Sequence, residues 1–406
     1  MAVERLTLGD PAAVAAQVRA LAPGAASVAD VVAAIVADVR EDGDEALLRY
    51  VERFDGAGER FGRDVPLRAA VGDPGELDRD VRAGLEVAIA NVRAVAEAGL
   101  GSEEEVTLPQ GHVVRLRSVP VRRAAVYVPG GRAPYPSTVV MGVVTARVAG
   151  VEEVVVCAPG AHPLILAACA LCGADEVYSM GGAHAVAALA YGTESVPRVD
   201  VIVGPGNLYV QEAKRIVSGD VGIDGFAGPS DVLVLASAGA DPALVSIDLA
   251  AQAEHGEGTI VAAVSDDRAL LDAVDVDPGD AVAALVDAPD LEAALAFAEA
   301  FAPEHLELMG ADAEALSPRV RSSGCIFIGG GTAFGDYVAG SNHTLPTGGA
   351  ARFASGLNVG HLRRSMSEVR IGPAAAALAR AAAPVARAEG FELHAASMEV
   401  RENRDR

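Results

Sequence analysis

The chain has no tryptophan, four cysteines and only 4% aromatic residues in 406 positions. Four cysteines in a chain of this length make no disulfide framework, and nothing points to export. Scarce aromatics disfavour a platform for stacking single-stranded nucleic acid. Basic residues are also few: 32 Lys and Arg stand against 56 Asp and Glu, a formal net charge of −24. Such a surface repels phosphate backbones and anionic lipid, so neither nucleic acid nor a membrane is an expected partner. The most apolar long stretch, Val154 to Ala174, is interrupted by Pro159, Gly160, His162 and Pro163, so it reads as strand, turn and helix rather than a span. The opening MAVERLTLGD carries acids where a signal peptide needs a basic and then an apolar run, and a cytoplasmic location is expected.

What is present is a large apolar fraction, 51%, enough for two to four domains with ample core. Residues 27–54 and 77–98 show helical spacing. From residue 124 the pattern changes to strand and helix in alternation. AAVYVPGG (124–131), EEVVVCAPG (152–160), DEVYSMGG (175–182) and VDVIVGPGN (199–207) read as strands. Helical stretches at 137–150, 162–173, 184–193 and 208–219 separate or follow them. A second series has strands at 231–237, 258–265 and 324–330, with helices at 241–256 and 290–306. Short Gly/Pro turns between such elements mean parallel strands with right-handed crossovers.

The expected fold is therefore α/β, with two incomplete Rossmann-like modules built on parallel sheets and small helical elements at both termini. Residues 1–25 form the N-terminal element. Residues 26–126 and 230–357 form a first, discontinuous module, 127–229 an inserted second module, and 358–406 a helical tail. Ligands are expected outside the carboxyl ends of the strands, where PGG (129–131), GG (181–182) and GPGN (204–207) stand. No GxGxxG follows a strand; GAGERFG at 56–62 has the wrong spacing and follows a helix.

Several polar constellations stand out from this framework. Gln252 and His255 are three apart on one helix face. They read either as metal donors or as a polar helix end near the negative pole of the dipole. Glu304 and His305 follow a helix; as neighbours they diverge by about 100° on a regular helix, so an acid/base pair needs the break that Pro303 provides. The alternative is exposed helix-end charge. GDYVAGSNHTLPTGG (335–349) embeds Asp336 and His343 among glycines, as a ligand loop or an ordinary surface loop. Glu389 and His394 are five apart, so both meet one ligand only if Gly390 breaks the helix. Cys169 and Cys172 match CxxC but sit inside an apolar helix and read as packing residues. Ser230 is not in a G-x-S-x-G elbow, which argues against a nucleophilic serine.

YVPGGRAPYPSTVVM, ALAYGTESVPRVDVIVGPGN, AGPSDVLV, AAQAEHG, PEHLEL and GDYVAGSNHTLPT occur in this order. Together they closely resemble the histidinol dehydrogenase family, over about 124–357 and again at 389–394. The resemblance implies zinc-dependent oxidation of L-histidinol to L-histidine, through L-histidinal, with two NAD+. It implies one Zn2+ per subunit, held by Gln252, His255, Asp336 and His394. The last of these would come from the other subunit of a homodimer with intertwined C-terminal tails. It implies Glu304 and His305 as the catalytic acid/base pair. Ser230, His343 and Glu389 match substrate-contacting positions, as do Gln252, His255, His305, Asp336 and His394. Tyr127, His184 and Asn207 match NAD-contacting positions.

The chain departs from the family where His184 replaces the usual Gln and where His361-Leu362 replaces an Asp-Phe pair. These departures leave a second reading, a paralogue with zinc and NAD that oxidises another small primary alcohol, such as a sulfonated or phosphonated diol. A third is a non-catalytic α/β dimer that binds a metabolite. Retention of Ser230 and Glu389 favours histidinol, whereas His184 and the altered 361–362 pair favour the paralogue; intact Glu304, His305 and all four metal positions argue against a mere binding module.

Overall fold

A computed structural model describes residues 3–55, 67–130 and 133–402. The GAGERFG segment and Gly131 of the PGG turn lie outside the described residues. The chain divides into two compact units, Met1–Gly99 with Val121–Leu362, and Leu100–Pro120 with Arg363–Arg406.

The larger unit contains two six-stranded sheets. In the first, the spatial order is Glu4–Thr7, Val282–Asp287, Ile260–Ser265, Asp231–Ala236, His305–Met309, Cys325–Ile328, all parallel. In the second it is Arg68–Ala69, Glu176–Tyr178, Glu153–Cys157, Arg123–Tyr127, Val201–Val203, Gly222–Ile223, with Arg68–Ala69 antiparallel to its neighbour. Setting aside the strand drawn from the N-terminal region, each sheet orders its strands third, second, first, fourth, fifth along the chain. That is the Rossmann-like order, with a topological switch between the first and fourth strands.

Strands buried on both faces explain the continuous apolar runs. Leu233 and Leu235 pack on one side with Val14, Val18, Phe297 and Phe301, while Val232 and Val234 pack on the other with Val245, Leu249 and Leu270. In the second sheet Ala124 and Val126 meet Leu85, Ala88 and Val92, and Ala125 and Tyr127 meet Val32, Ile35 and Val39. The helices between residues 29 and 98 thus cover the sheet built from 123–223, whereas the sequence assigned 26–126 to the module of 230–357. Helical periodicity reveals an apolar face but not which sheet it will cover.

Further elements differ from the sequence reading, among them the strand Val282–Asp287, which lies inside the first sheet where the sequence reading has none. The N-terminal element begins with a strand, Glu4–Thr7, that adds an edge to the first sheet by pairing with Val282–Asp287. The helix expected over 290–306 ends at Phe301, and His305 opens a strand. Ala302 lies in the left-handed region at φ 49° and turns the chain, so Pro303 marks a full change of element. The smaller unit is not wholly helical. Arg363–Arg370 pairs antiparallel with Val113–Pro120, which pairs with Glu104–Thr107, and helices Ala375–Ala388 and Glu392–Glu399 follow. These strands expose most side chains, so they lack the alternation that reveals a strand. Among the described residues no helix is long and apolar enough to cross a membrane.

Candidate active site

In the first sheet the chemistry-bearing side chains gather at the amino ends of the strands, not the expected carboxyl ends. Asp231 begins the first strand, His305 begins the fourth, and Val232 pairs with His305 in register. Residues just before each strand, Ser230 and Glu304, therefore fall side by side.

Glu304 is buried and richly held. Its Oε2 accepts from Ser230 Oγ at 2.5 Å and from the Asp231 amide at 3.0 Å. Gln252 Nε2 in turn donates to Ser230 Oγ at 2.5 Å, so Gln252, Ser230 and Glu304 form a directed chain. His305 is buried beside it, with Nδ1 at 3.3 Å from the Asp231 carbonyl and 3.7 Å from Glu304 Oε2. Its Nε2 lies 3.7 Å from Asp336 Oδ1 and, among the described residues, has no hydrogen-bond partner. Burial pushes the Glu304 carboxyl up to about 7, against the pull of the neighbouring His305. Burial works the other way on His305, but Glu304 and Asp336 outweigh it and raise the imidazole to about 9. Burial also opposes ionisation of Asp336, yet His305 and the more distant His343 and His255 keep its carboxyl below the usual range. Perturbation of this kind in adjacent groups is common at functional sites.

Asp336 comes from the helix Thr332–Tyr337, which folds back after the strand Cys325–Ile328. His343 anchors the loop that follows: its Nδ1 is 2.9 Å from the Asp336 carbonyl, and its Nε2 is 3.3 Å from Thr138 Oγ1 on the other module. Burial, the largest influence on it, lowers this imidazole below its ordinary value, against the pull of Asp336. His255 is exposed just beyond the helix Pro242–Ala253, with Nδ1 3.0 Å from the Gln252 carbonyl. Ligating histidines commonly hold one nitrogen on a carbonyl in this way, leaving the other for a metal. An amide oxygen, an imidazole and an ionised carboxylate suit Zn2+ chemically. Among the described residues no group of three or more His, Cys, Asp or Glu is arranged to hold a metal ion.

The remaining two candidates belong to the smaller unit. Glu389 caps Ala375–Ala388 and His394 lies on Glu392–Glu399, separated by Gly390 at φ 81°. The break expected at Gly390 is present, and both side chains line one shallow groove with Phe391 and Met398.

The three cofactor candidates line one cavity of about 620 Å³ at the carboxyl ends of the second sheet. Tyr127 is buried, its hydroxyl pushed up by burial and accepting from the Gly182 amide at 2.9 Å. Asn207 caps the helix Leu208–Val217 through the Tyr209 and Val210 amides. His184 is turned to Asp55, Nε2 to Oδ2 at 3.0 Å, and stacks on Tyr50 and Phe54. Asp55 also accepts from the Gly181 amide at 3.0 Å and was not singled out in the sequence. Neither was the fully buried Lys214. Its Nζ donates to Asp224 Oδ1 at 2.6 Å and to the Gly204 carbonyl at 2.5 Å, while Asp224 Oδ2 accepts from the Gly204 amide at 2.6 Å. Gly204 needs φ 115°, and a Cβ there would stand 2.2 Å from the Tyr127 carbonyl oxygen. Only glycine fits this turn. Helix amino termini facing a cavity suit the phosphates of a dinucleotide.

The family model for histidinol dehydrogenase matches residues 21–402. A histidinol dehydrogenase of Thermus thermophilus is 44% identical, covering 92% of this chain and 95% of the relative. One from Haloarcula marismortui is 43% identical, covering 93% and 94%. The crystal structure of histidinol dehydrogenase from Elizabethkingia anophelis superposes with a TM-score of 0.83 at 28% identity, covering 92% of each chain. The chain belongs to the histidinol dehydrogenase family and is an enzyme of the dehydrogenase type.

Proposed function

We propose that this protein oxidises L-histidinol to L-histidine, with L-histidinal as the bound intermediate and two NAD+ as hydride acceptors. The observation that carries this reading is the convergence of Ser230, Gln252, Glu304, His305 and Asp336 at the amino ends of two adjacent strands. Family membership at more than 40% identity supports the substrate. The balanced reaction takes alcohol, water and two NAD+ to carboxylate, two NADH and three protons.

His305 in its neutral form is the base for the first step, so with the imidazole raised to about 9 that step quickens as pH rises. It takes the hydroxyl proton as hydride leaves the carbinol carbon. Its unpartnered Nε2 is the atom free to do so. Glu304 then accepts a proton from the water that adds to the aldehyde. A carboxyl raised to about 7 is matched to that task near neutral pH. His305 returns its first proton to solvent, and the hydrate then gives up the second hydride with His305 again as base. One site serving both steps protects the reactive aldehyde from release.

Zn2+ would be held by Gln252, His255 and Asp336 with His394 of a second copy, and it would supply a fixed cation that orients the amino alcohol. Ser230 and His343 contact the substrate, and Glu389 pairs with its imidazole. NAD+ occupies the cavity lined by Tyr127, His184 and Asn207. A homodimer that exchanges its smaller units and a cytoplasmic location complete the reading. Its test is NADH formation from L-histidinol by zinc-loaded protein, with loss of turnover on chelation. Undiminished activity of the metal-free protein would refute the zinc assignment.

A further inference from the structure

The turn that presents Glu304 and His305 is strained at Ala302, although backbone hydrogen bonds from the Ala302, Gly324 and Cys325 amides also hold it. Ala302 is a non-glycine residue at φ 49°, buried, and followed by proline, which biases it toward extended backbone. Something must over-determine that conformation. Arg19, on the N-terminal helix Pro11–Arg19, reaches this turn from outside the sheet. Its NH2 donates to the carbonyls of Phe301 at 2.8 Å and Ala302 at 3.3 Å. Its NH1 and NH2 together grip the Asp231 carboxylate, at 2.6 and 3.3 Å. The guanidinium also lies 3.7 Å over the Phe301 ring. Asp231 is buried, and it passes the grip on: Oδ1 accepts from the Glu304 amide at 2.8 Å and Oδ2 from the Gly348 amide at 3.2 Å.

We propose that Arg19 is the positioning residue of the acid/base pair, fixing through Asp231 and the Ala302 turn the place of Glu304 and His305. This gives the N-terminal helix a part in the chemistry, and it rests on the reading of Glu304 and His305 given under Proposed function. Arg19 touches neither substrate nor cofactor in that reading. Its loss is therefore expected in the chemical step and not in cofactor binding.

The test uses zinc-loaded, full-length Arg19→Met and Arg19→Lys beside the parent. Lysine keeps the charge but not the planar fork that serves a carboxylate and two carbonyls at once. For Arg19→Met, kcat with L-histidinal should fall roughly tenfold or more, because misplacement by about an ångström is that costly. KM for NAD+ should stay within about twofold and zinc content should be unchanged. Arg19→Lys should fall between the two, and it carries the test if Arg19→Met does not fold. A crystal structure of the variant should show Ala302 relaxed from positive φ and the Ser230–Glu304 hydrogen bond broken. A variant that keeps both features and the parental kcat, losing only thermal stability, would overturn the proposal. Failure of the parent to oxidise either substrate would count against the proposed function, and the structural readout would still decide the role of Arg19.

Discussion

Asp231 and Glu304 hold each other by two hydrogen bonds that run in opposite directions. The Glu304 amide donates to Asp231 Oδ1 at 2.8 Å, and the Asp231 amide donates to Glu304 Oε2 at 3.0 Å. Seventy-odd residues separate them in the chain, and only the pairing of their two strands brings them together. This reciprocal lock fixes both the backbone and the side chain of Glu304.

Glu304→Gln should keep that lock, since an amide oxygen still accepts from Ser230 and Asp231. It loses the ability to take a proton from water. Oxidation of L-histidinal should slow by roughly 100-fold or more, within the usual range for a general base, while the first hydride transfer slows less. Single-turnover measurement of each step separates the two; equal losses would remove the water-activating role.

His305→Ala should reduce the first hydride transfer by roughly 100- to 10,000-fold, the usual range for loss of a general base. NADH release from a single turnover of L-histidinol measures it.

Asp336→Asn removes one of the groups that raise His305. In the metal-free protein the imidazole should titrate below its present value of about 9. NMR titration of the ring protons reads this directly, and an unchanged His305 would show that Glu304 alone governs it.

Glu307 gives a stability prediction with a definite sign. Burial and the nearby Asp248 carboxylate raise it from an ordinary 4.5 to about 7. Above pH 4.5 the unfolded chain ionises this carboxyl while the folded chain keeps it protonated, so folding loses stability until about pH 7. Glu307→Gln escapes that loss and can still accept from the Thr332 amide. Its Tm relative to the parent should rise steadily from pH 4.5 to 7.5, roughly the span over which a carboxyl shifted this far titrates. A flat difference would contradict it.

Lys214→Met should unfold at lower temperature and bind NADH more weakly, since it leaves Asp224 buried without its cation and loosens the Gly204 turn. Breaking one side of a buried pair costs about 3–5 kcal/mol, and adding Asp224→Asn should recover part of it. NADH fluorescence and thermal denaturation give the two readouts.

Much of this was legible in the sequence, for physical reasons that can be named. Strand–helix alternation from residue 124 onward gave the two parallel sheets, because both-face burial leaves continuous apolar runs. The expected break at Gly390 is there. Glu304 and His305 were visible as a pair, but their strand was hidden: HLELM is short and begins only a tight turn after a helix. Asp231 looked like an ordinary strand-start acid, since its importance comes from a residue more than seventy positions away. Arg19 lay in a helix whose spacing announced only packing. Lys214 and Asp224 gave no local signal, because a buried ion pair ten residues apart exists only after the turn at Gly204 closes.

The central claim is that one pocket carries out both oxidations. The measurement is the number of NADH formed per L-histidinol consumed by purified, zinc-loaded protein, with small diols run in parallel. Two NADH per histidinol, with no free aldehyde trapped, is the predicted result. No turnover of histidinol alongside turnover of another alcohol would contradict the account.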